Sequence, residues 1–209
     1  MIDFYTFSTP NGRKVAIMLE ELGLRYDVHV VNISAGEQFA PEFLDINPNA
    51  KIPAIVDREG PNGMPIKLFE SGAILFYLAE KTQRLLAPHD HARYATLQWL
   101  MFQMSAIGPM LGQFFHFANV AKDKIPYAIE RYRQEAKRLL GVMDKRLSEQ
   151  PYLSGEYSIA DIATYPWIAG MREFAPELWN EYEHLIKWIK VVGERPAVVR
   201  GMKVPESTS

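Results

Sequence analysis

Hydrophobic and polar positions follow two rhythms along the first third of the chain. The segment "IDFYTF" is short, β-branched and aromatic, and predicts a strand. Next, "GRKVAIMLEELG" sets Val15, Met18, Leu19 and Leu22 on one helical face, with Gly23 where a C-cap belongs. "YDVHVVNI" alternates and predicts a second strand. "PEFLDINPNAK" predicts a short helix broken at Asn47-Pro48. "IPAIVD" and "PIKLFE" predict third and fourth strands, and the Gly- and Pro-rich "REGPNGM" between them a hairpin loop. "SGAILFYLAEKT" predicts a helix with Ile74, Leu75 and Leu78 turned inward.

The order is βαβαββα, ending near Thr82. Helical crossovers in the first two connections favour parallel pairs, and the tight third connection forces an antiparallel one. The expected fold is an α/β thioredoxin-like N-terminal domain, a mixed four-stranded sheet with helices on both faces. After "QRLLAPHDHAR" no clear strand follows. "YATLQWLMFQMSAIGPMLGQFFHFAN" is a long apolar helix pattern with a kink or break expected at Gly108-Pro109. "IPYAIERYRQEAKRLLGVMDKRLSEQ" is amphipathic, with Ile129, Tyr132, Ala136, Leu139, Leu140, Met143 and Leu147 near one face. "SIADIATYPWIAGM" and "LWNEYEHLIKWIKVVGERPAV" predict two more helices. The expected division is residues 1–82 thioredoxin-like, 83–92 linker and 93–209 an all-α helical C-terminal domain, with the polar tail "KVPESTS" fraying.

Composition narrows the chemistry. Of 209 residues, 48% are hydrophobic and 23% charged, which argues against disorder. A net charge of −2 and the lack of a basic run point to neither nucleic acid nor a membrane surface as partner. No apolar run approaches the roughly 18 residues of a membrane span, and "MIDFYTF" lacks the pattern of a signal peptide, so the cytoplasm is the expected location. The cysteine count is zero, which excludes disulfides, thiolate metal sites and a cysteine nucleophile within the chain. His89 and His91 in "APHDHA" read as a solvated linker, and no metal is expected. The motifs HExxH, GxGxxG and GxxxxGK[ST] do not occur.

Three stretches carry candidate chemistry. In "NAKIPAIVD", Pro53 opens an apolar strand. A proline at this point of a thioredoxin-like sheet is expected to be cis, turning the N–H and C=O of Ile52 toward an extended peptide; the plainer reading is a strand-initiating proline. In "LFESGAI", Ser71 reads as an N-cap. Its hydroxyl and the helix N-terminus suit a carboxylate, while Glu70 suits an ammonium, so the pair fits a ligand bearing both an α-amino and an α-carboxyl group. The turn "TPNG" offers the Thr9 hydroxyl, the Asn11 amide and backbone N–H groups, which would lower the pKa of a thiol held there. Ser8 is an alternative donor to Thr9. Tyr5 is either an acidic hydroxyl or, better suited to its strand, a packed aromatic. A fourth motif, Ser158 and Asp161 in "SIADIATYPW", is a capping box that serves folding rather than chemistry.

Together, "TPNG", "NPNAKIPAIVD", "FESGAILFYLAEK" and "SIADIATYPW" resemble the cytosolic glutathione transferases in kind and order, over nearly the whole chain. More narrowly, "TPNGRKVAIMLEELG", "TLQWLMFQMS", "GPMLGQ" and "IPYAIERYRQEAKRL" resemble the bacterial Nu class and the related fungal nitrogen-regulator-like transferases. The resemblance implies a homodimer that binds glutathione or its disulfide and reduces disulfides with glutathione, without a protein cysteine. It places Thr9 and Asn11 at the sulfur, Asn11 foremost; Ile52 with Pro53 at the cysteinyl backbone; Lys51 and Gln38 at the glycine end; and Glu70 and Ser71 at the γ-glutamyl end. Arg131, and with it Gln103, would reach across from the partner subunit. Ser8 stands where that family carries a less polar residue, so the choice among Ser8, Thr9 and Asn11 stays open. Two other readings stand beside this one. One is conjugation of glutathione to small electrophiles, or peroxide reduction, in a pocket lined by Met101, Met104, Phe114, Phe115 and Phe117. The other is a non-catalytic glutathione-binding or regulatory module.

Overall fold

The structure, a computed structural model, describes residues 1–179 and 181–205. Contacts divide the chain into two units: Met1–Arg84 together with the segment from Arg195, and Leu85–Glu194.

The first unit runs β1 (Ile2–Thr6), α1 (Pro10–Leu22), β2 (Tyr26–Val30), α2 (Pro41–Leu44), β3 (Ala54–Asp57), β4 (Ile66–Phe69) and α3 (Ser71–Thr82). Its sheet has the order β2-β1-β3-β4. This is the mixed four-stranded sheet of the thioredoxin-like class, as expected. One pairing differs from the expectation. β1 and β2 are parallel, but β3 runs antiparallel to β1, with Tyr5 opposite Ala54. The reason is the length of α2. At four residues it is a single turn, too short to carry a packed crossover. β4 follows antiparallel to β3 through the expected hairpin.

Alternation along β1 sorts the two faces. Phe4 and its partner Ile55 are fully buried. On the other face Ala54 packs with Val31 and Phe43, and Tyr5, Ile46 and Ile52 close that cluster.

The second unit holds α4 (Asp90–Phe102), α5 (Gly108–Phe115), α6 (Pro126–Glu149), α7 (Ile159–Phe174) and α8 (Glu183–Gly193). Gly108-Pro109 does not break the helix. A π-turn at Gln103–Ile107 joins α4 to α5, and its wider winding makes room for a proline that lacks an N–H. Gly108 and Gly112 face Trp167, where a Cβ would lie 3.5 Å and 3.3 Å from the indole. On α6 the predicted face is inward: Ala136, Leu139, Leu140, Met143 and Leu147 are buried. The capping box of α7 is formed, and the buried Asp161 also accepts from Trp188 Nε1 at 2.9 Å and Leu153 N–H at 3.1 Å. No helix among the described residues is long and apolar enough to cross a membrane.

The expected division of the chain needs two amendments. The change of unit falls between Arg84 and Leu85, and α4 begins at Asp90, inside the expected linker. The segment from Arg195, assigned by its pattern to the helical domain, groups with the first unit. There α9 (Pro196–Gly201) lies along α1. Arg195 clamps Glu21 with bonds of 2.7 and 3.0 Å, and Arg200 reaches Glu20. Fraying of the tail cannot be followed past Pro205, since residues 206–209 lie outside the described residues. At Gly201 the two helices touch backbone to backbone: a Cβ would sit 2.6 Å from Ile17 Cα. Gly201→Ala is therefore expected to lower unfolding stability by about 1–3 kcal/mol through overpacking, read by urea denaturation.

Candidate active site

The turn before α1 is built around Thr9. Thr9 is the N-cap, and its Oγ1 accepts the Gly12 N–H at 3.2 Å. Pro10 opens the helix and Asn11 follows, half-buried. Gly12 lets the first turn approach the end of β1; a Cβ there would fall on the Thr6 hydroxyl and 2.5 Å from the Phe7 carbonyl oxygen. Ser8 is exposed, with Arg13 Nη2 donating to its Oγ at 3.3 Å. Tyr5 takes the packed role. It stacks on His29 at 4.6 Å, and burial raises its hydroxyl pKa, the reverse of an acidic phenol.

The loop before β3 carries Lys51 and Ile52. The Ile52–Pro53 bond is cis, as expected. Lys51 is exposed, Ile52 half-buried and Gln38 half-buried on a short 3₁₀ turn at Glu37–Phe39. Sequence reasoning missed Asn47, reading it only as a helix breaker. It is 2% exposed, accepts the Asn49 N–H at 2.9 Å and donates through Nδ2 to the Lys51 carbonyl. One buried amide thus pins the segment that presents Lys51 and Ile52.

The head of α3 departs from expectation. Ser71 is not the cap; it is the first helical residue, 3% exposed, and Glu70 holds the cap position. Glu70 is exposed, at φ 68° and ψ 111°. Left-handed φ at a non-glycine residue stores about 1–3 kcal/mol and is characteristic of functional sites. Beneath it lies Lys14, also missed because a helical pattern counts lysine as polar. Its spacing from Asn11 and Met18, three and four residues, was the available signal. Lys14 is 1% exposed, and its Nζ lies 3.3 Å from Ser71 Oγ. Burial pulls its pKa from 10.5 down to about 7, against the opposing pull of the Glu70 carboxylate.

Gln103 and Arg131 belong to the second unit. Gln103 is fully buried in the π-turn, and Arg131 is exposed on α6, lining a cleft of about 390 Å³ with Met110, Tyr132 and Glu135. Of the residues considered as a pocket for electrophiles, Phe114 is core, edge-on to Phe174 at 5.5 Å. Met101 and Phe115 are exposed, and Met104 and Phe117 half-buried. Among the described residues no three His, Asp or Glu side chains are placed to share a metal ion.

This arrangement is that of a thioredoxin-like unit followed by a helical unit, with hydroxyl and amide groups at the head of α1. The family model for the glutathione S-transferase N-terminal domain matches residues 2–80, and that for the C-terminal domain residues 126–190. The chain belongs to the glutathione S-transferase family, and the resemblance read from the motifs is borne out. A relative from Escherichia coli (strain K12), named disulfide-bond oxidoreductase YfcG, is 50% identical over 199 residues, covering 94% of this chain and 92% of the relative. A solved glutathione transferase family member from Pseudomonas fluorescens pf-5, with two glutathione bound, is 50% identical at TM-score 0.95, over 98% of this chain and 93% of its own. A glutathione transferase from Pseudomonas putida, with one glutathione disulfide per subunit, is 47% identical at TM-score 0.95, over 98% and 91%.

Lys14 links stability to pH. Its folded pKa of about 7 lies below the unfolded value, so between the two the unfolded chain binds the extra proton and stability rises with pH. Below pH 7 the full cost of a buried ammonium applies. Lys14→Met is therefore expected to be more stable than the wild type by about 2–5 kcal/mol at pH 6, the gap closing toward pH 10, as followed by denaturant titration across pH.

Proposed function

We propose that this chain reduces disulfides with glutathione as thiol donor and supplies no cysteine of its own. The observation that carries the reading is the thiol-free turn at the head of α1, where Thr9 caps the helix and Asn11 stands in its first turn. A glutathione sulfur held there meets hydroxyl and amide donors and the positive end of α1, which favour thiolate over thiol. The name of the Escherichia coli relative, and the glutathione and glutathione disulfide of the two Pseudomonas structures, support the same chemistry.

The reaction balances as two exchanges. The glutathione thiolate attacks one sulfur of the substrate disulfide; a new S–S bond forms, the old one breaks, and the leaving thiolate takes up a proton. A second glutathione thiolate attacks the glutathione sulfur of that mixed disulfide and releases the second substrate thiol. Two glutathiones are oxidised to one glutathione disulfide as the substrate gains two electrons. The protein binds, orients and stabilises thiolate; it forms no covalent bond.

Glutathione fits the remaining groups. Its γ-glutamyl ammonium and carboxylate suit Glu70 and Ser71, its cysteinyl backbone suits Ile52 beside Pro53, and its glycine carboxylate suits Lys51 and Gln38. Arg131, exposed on α6, enters on the resemblance, from the partner of a homodimer; Gln103, expected to do the same, is fully buried within its own unit and is not placed to reach out. The cytoplasm, which keeps glutathione reduced, is the fitting compartment.

The test is turnover of bis(2-hydroxyethyl) disulfide with glutathione. Asn11→Ala is expected to lower kcat/KM roughly tenfold to a hundredfold while glutathione still raises the melting temperature. Unchanged turnover in Asn11→Ala would remove the assigned site. Absence of turnover in a wild type that binds glutathione would remove the reaction.

A further inference from the structure

Lys14 takes no part in the exchange chemistry, yet it sets an ammonium in the apolar interior of the first unit. Along α1 its neighbours Val15, Ile17 and Met18 are closed to solvent. A charge so placed costs several kcal/mol in lost hydration, a cost that an unbranched apolar side chain of similar length would avoid. Packing therefore does not account for it.

What the ammonium touches suggests its use. An ammonium only donates, so at 3.3 Å the Ser71 oxygen is its acceptor, and the serine hydrogen is turned off that lone pair. Ser71 opens α3, where backbone N–H groups and the positive end of the helix already favour an anion. Glu70, one residue earlier, is exposed and close enough for its carboxylate to act on Lys14. Below about pH 7, a buried positive charge on α1 and an exposed negative one at the head of α3 thus face the same place. The head of a free amino acid, with carboxylate and ammonium on one carbon, carries the complementary pair.

We propose that Lys14 is a positioning residue for the γ-glutamyl end of glutathione. Acting through the Ser71 hydroxyl, it seats the α-carboxylate at the head of α3 and leaves the α-ammonium to Glu70. The inference rests on the glutathione-binding reading above and adds to it the source of the carboxylate's counter-charge.

Calorimetric titration separates the two. Glutathione, and an analogue whose γ-glutamyl α-carboxylate is a carboxamide, are titrated into the wild type, Lys14→Met, Ser71→Ala and the double variant. Lys14→Met is expected to weaken glutathione about tenfold or more while leaving the uncharged analogue within about twofold of the wild type. The double variant is expected to lose less than the product of the two single losses, because one group acts through the other. In turnover, KM for glutathione rises and kcat holds. Equal loss of both ligands, or no loss of either, overturns the proposal. Lys14→Gln carries the same comparison if Lys14→Met does not fold. A wild type that fails to bind glutathione removes the function and this inference together; one that binds while Lys14→Met does not discriminate removes this inference alone.

Discussion

Helix α1 runs through the first unit with Lys14 to Leu19 closed to solvent on every side, and the rest of that unit answers to this enclosure. Gly12 lets its head close on the end of β1. Lys14 ties its middle to α3 through Ser71. Gly201 and two arginines hold α9 along its far end. Four aliphatic or thioether side chains buried at about 1.5–3 kcal/mol each more than offset one lysine. The gain is rigidity: a helix with no free face cannot drift, so the donors at its head keep their aim.

Two costs meet at one place. Glu70 sits at a backbone angle that suits glycine, and the ammonium nearest it is dehydrated. Neither feature improves folding. Both lie at the head of α3, where the amino-acid end of a peptide ligand would rest. Under the proposed function, the strain and the buried charge at this place would serve recognition rather than folding.

Much of this was legible in the sequence. Period-two and period-3.6 patterns located the strands and helices; the Gly- and Pro-rich loop gave the hairpin; Ser158 and Asp161 announced the cap of α7. That Glu70 and Ser71 stand together at the head of α3 was legible because adjacent groups need no tertiary knowledge; their use as an amino-acid site belongs to the proposed function. What escaped was non-local. The return of α9 depends on Arg195 and Arg200 meeting Glu21 and Glu20, 174 and 180 residues away. Lys14 escaped because enclosure on all faces erases the polar stripe that periodicity assumes. The direction of β3 turned on a helix being one turn long. Ser71 was assigned the cap because serine favours that position locally, whereas the chain gives it to Glu70. Asn47 looked like punctuation, since the hydrogen bonds that make it a brace reach forward two and four residues into a loop.

The grouping of α9 with α1 has a consequence for synthesis. The helical unit is an insertion within the first one, because residues on both sides of Leu85–Glu194 are needed to complete that first unit. While the chain is being made, β1 to α3 leave the ribosome before the helical unit, but the last wall of α1 does not exist until α9 has followed that unit. The helical unit can condense in the meantime from contacts near in sequence. The first unit must wait, with one flank of α1 uncovered, for a segment whose arrival closes a very long loop; the entropy of that closure grows only slowly with length, so the delay costs time far more than stability. The first unit thus begins before the helical unit and finishes after it.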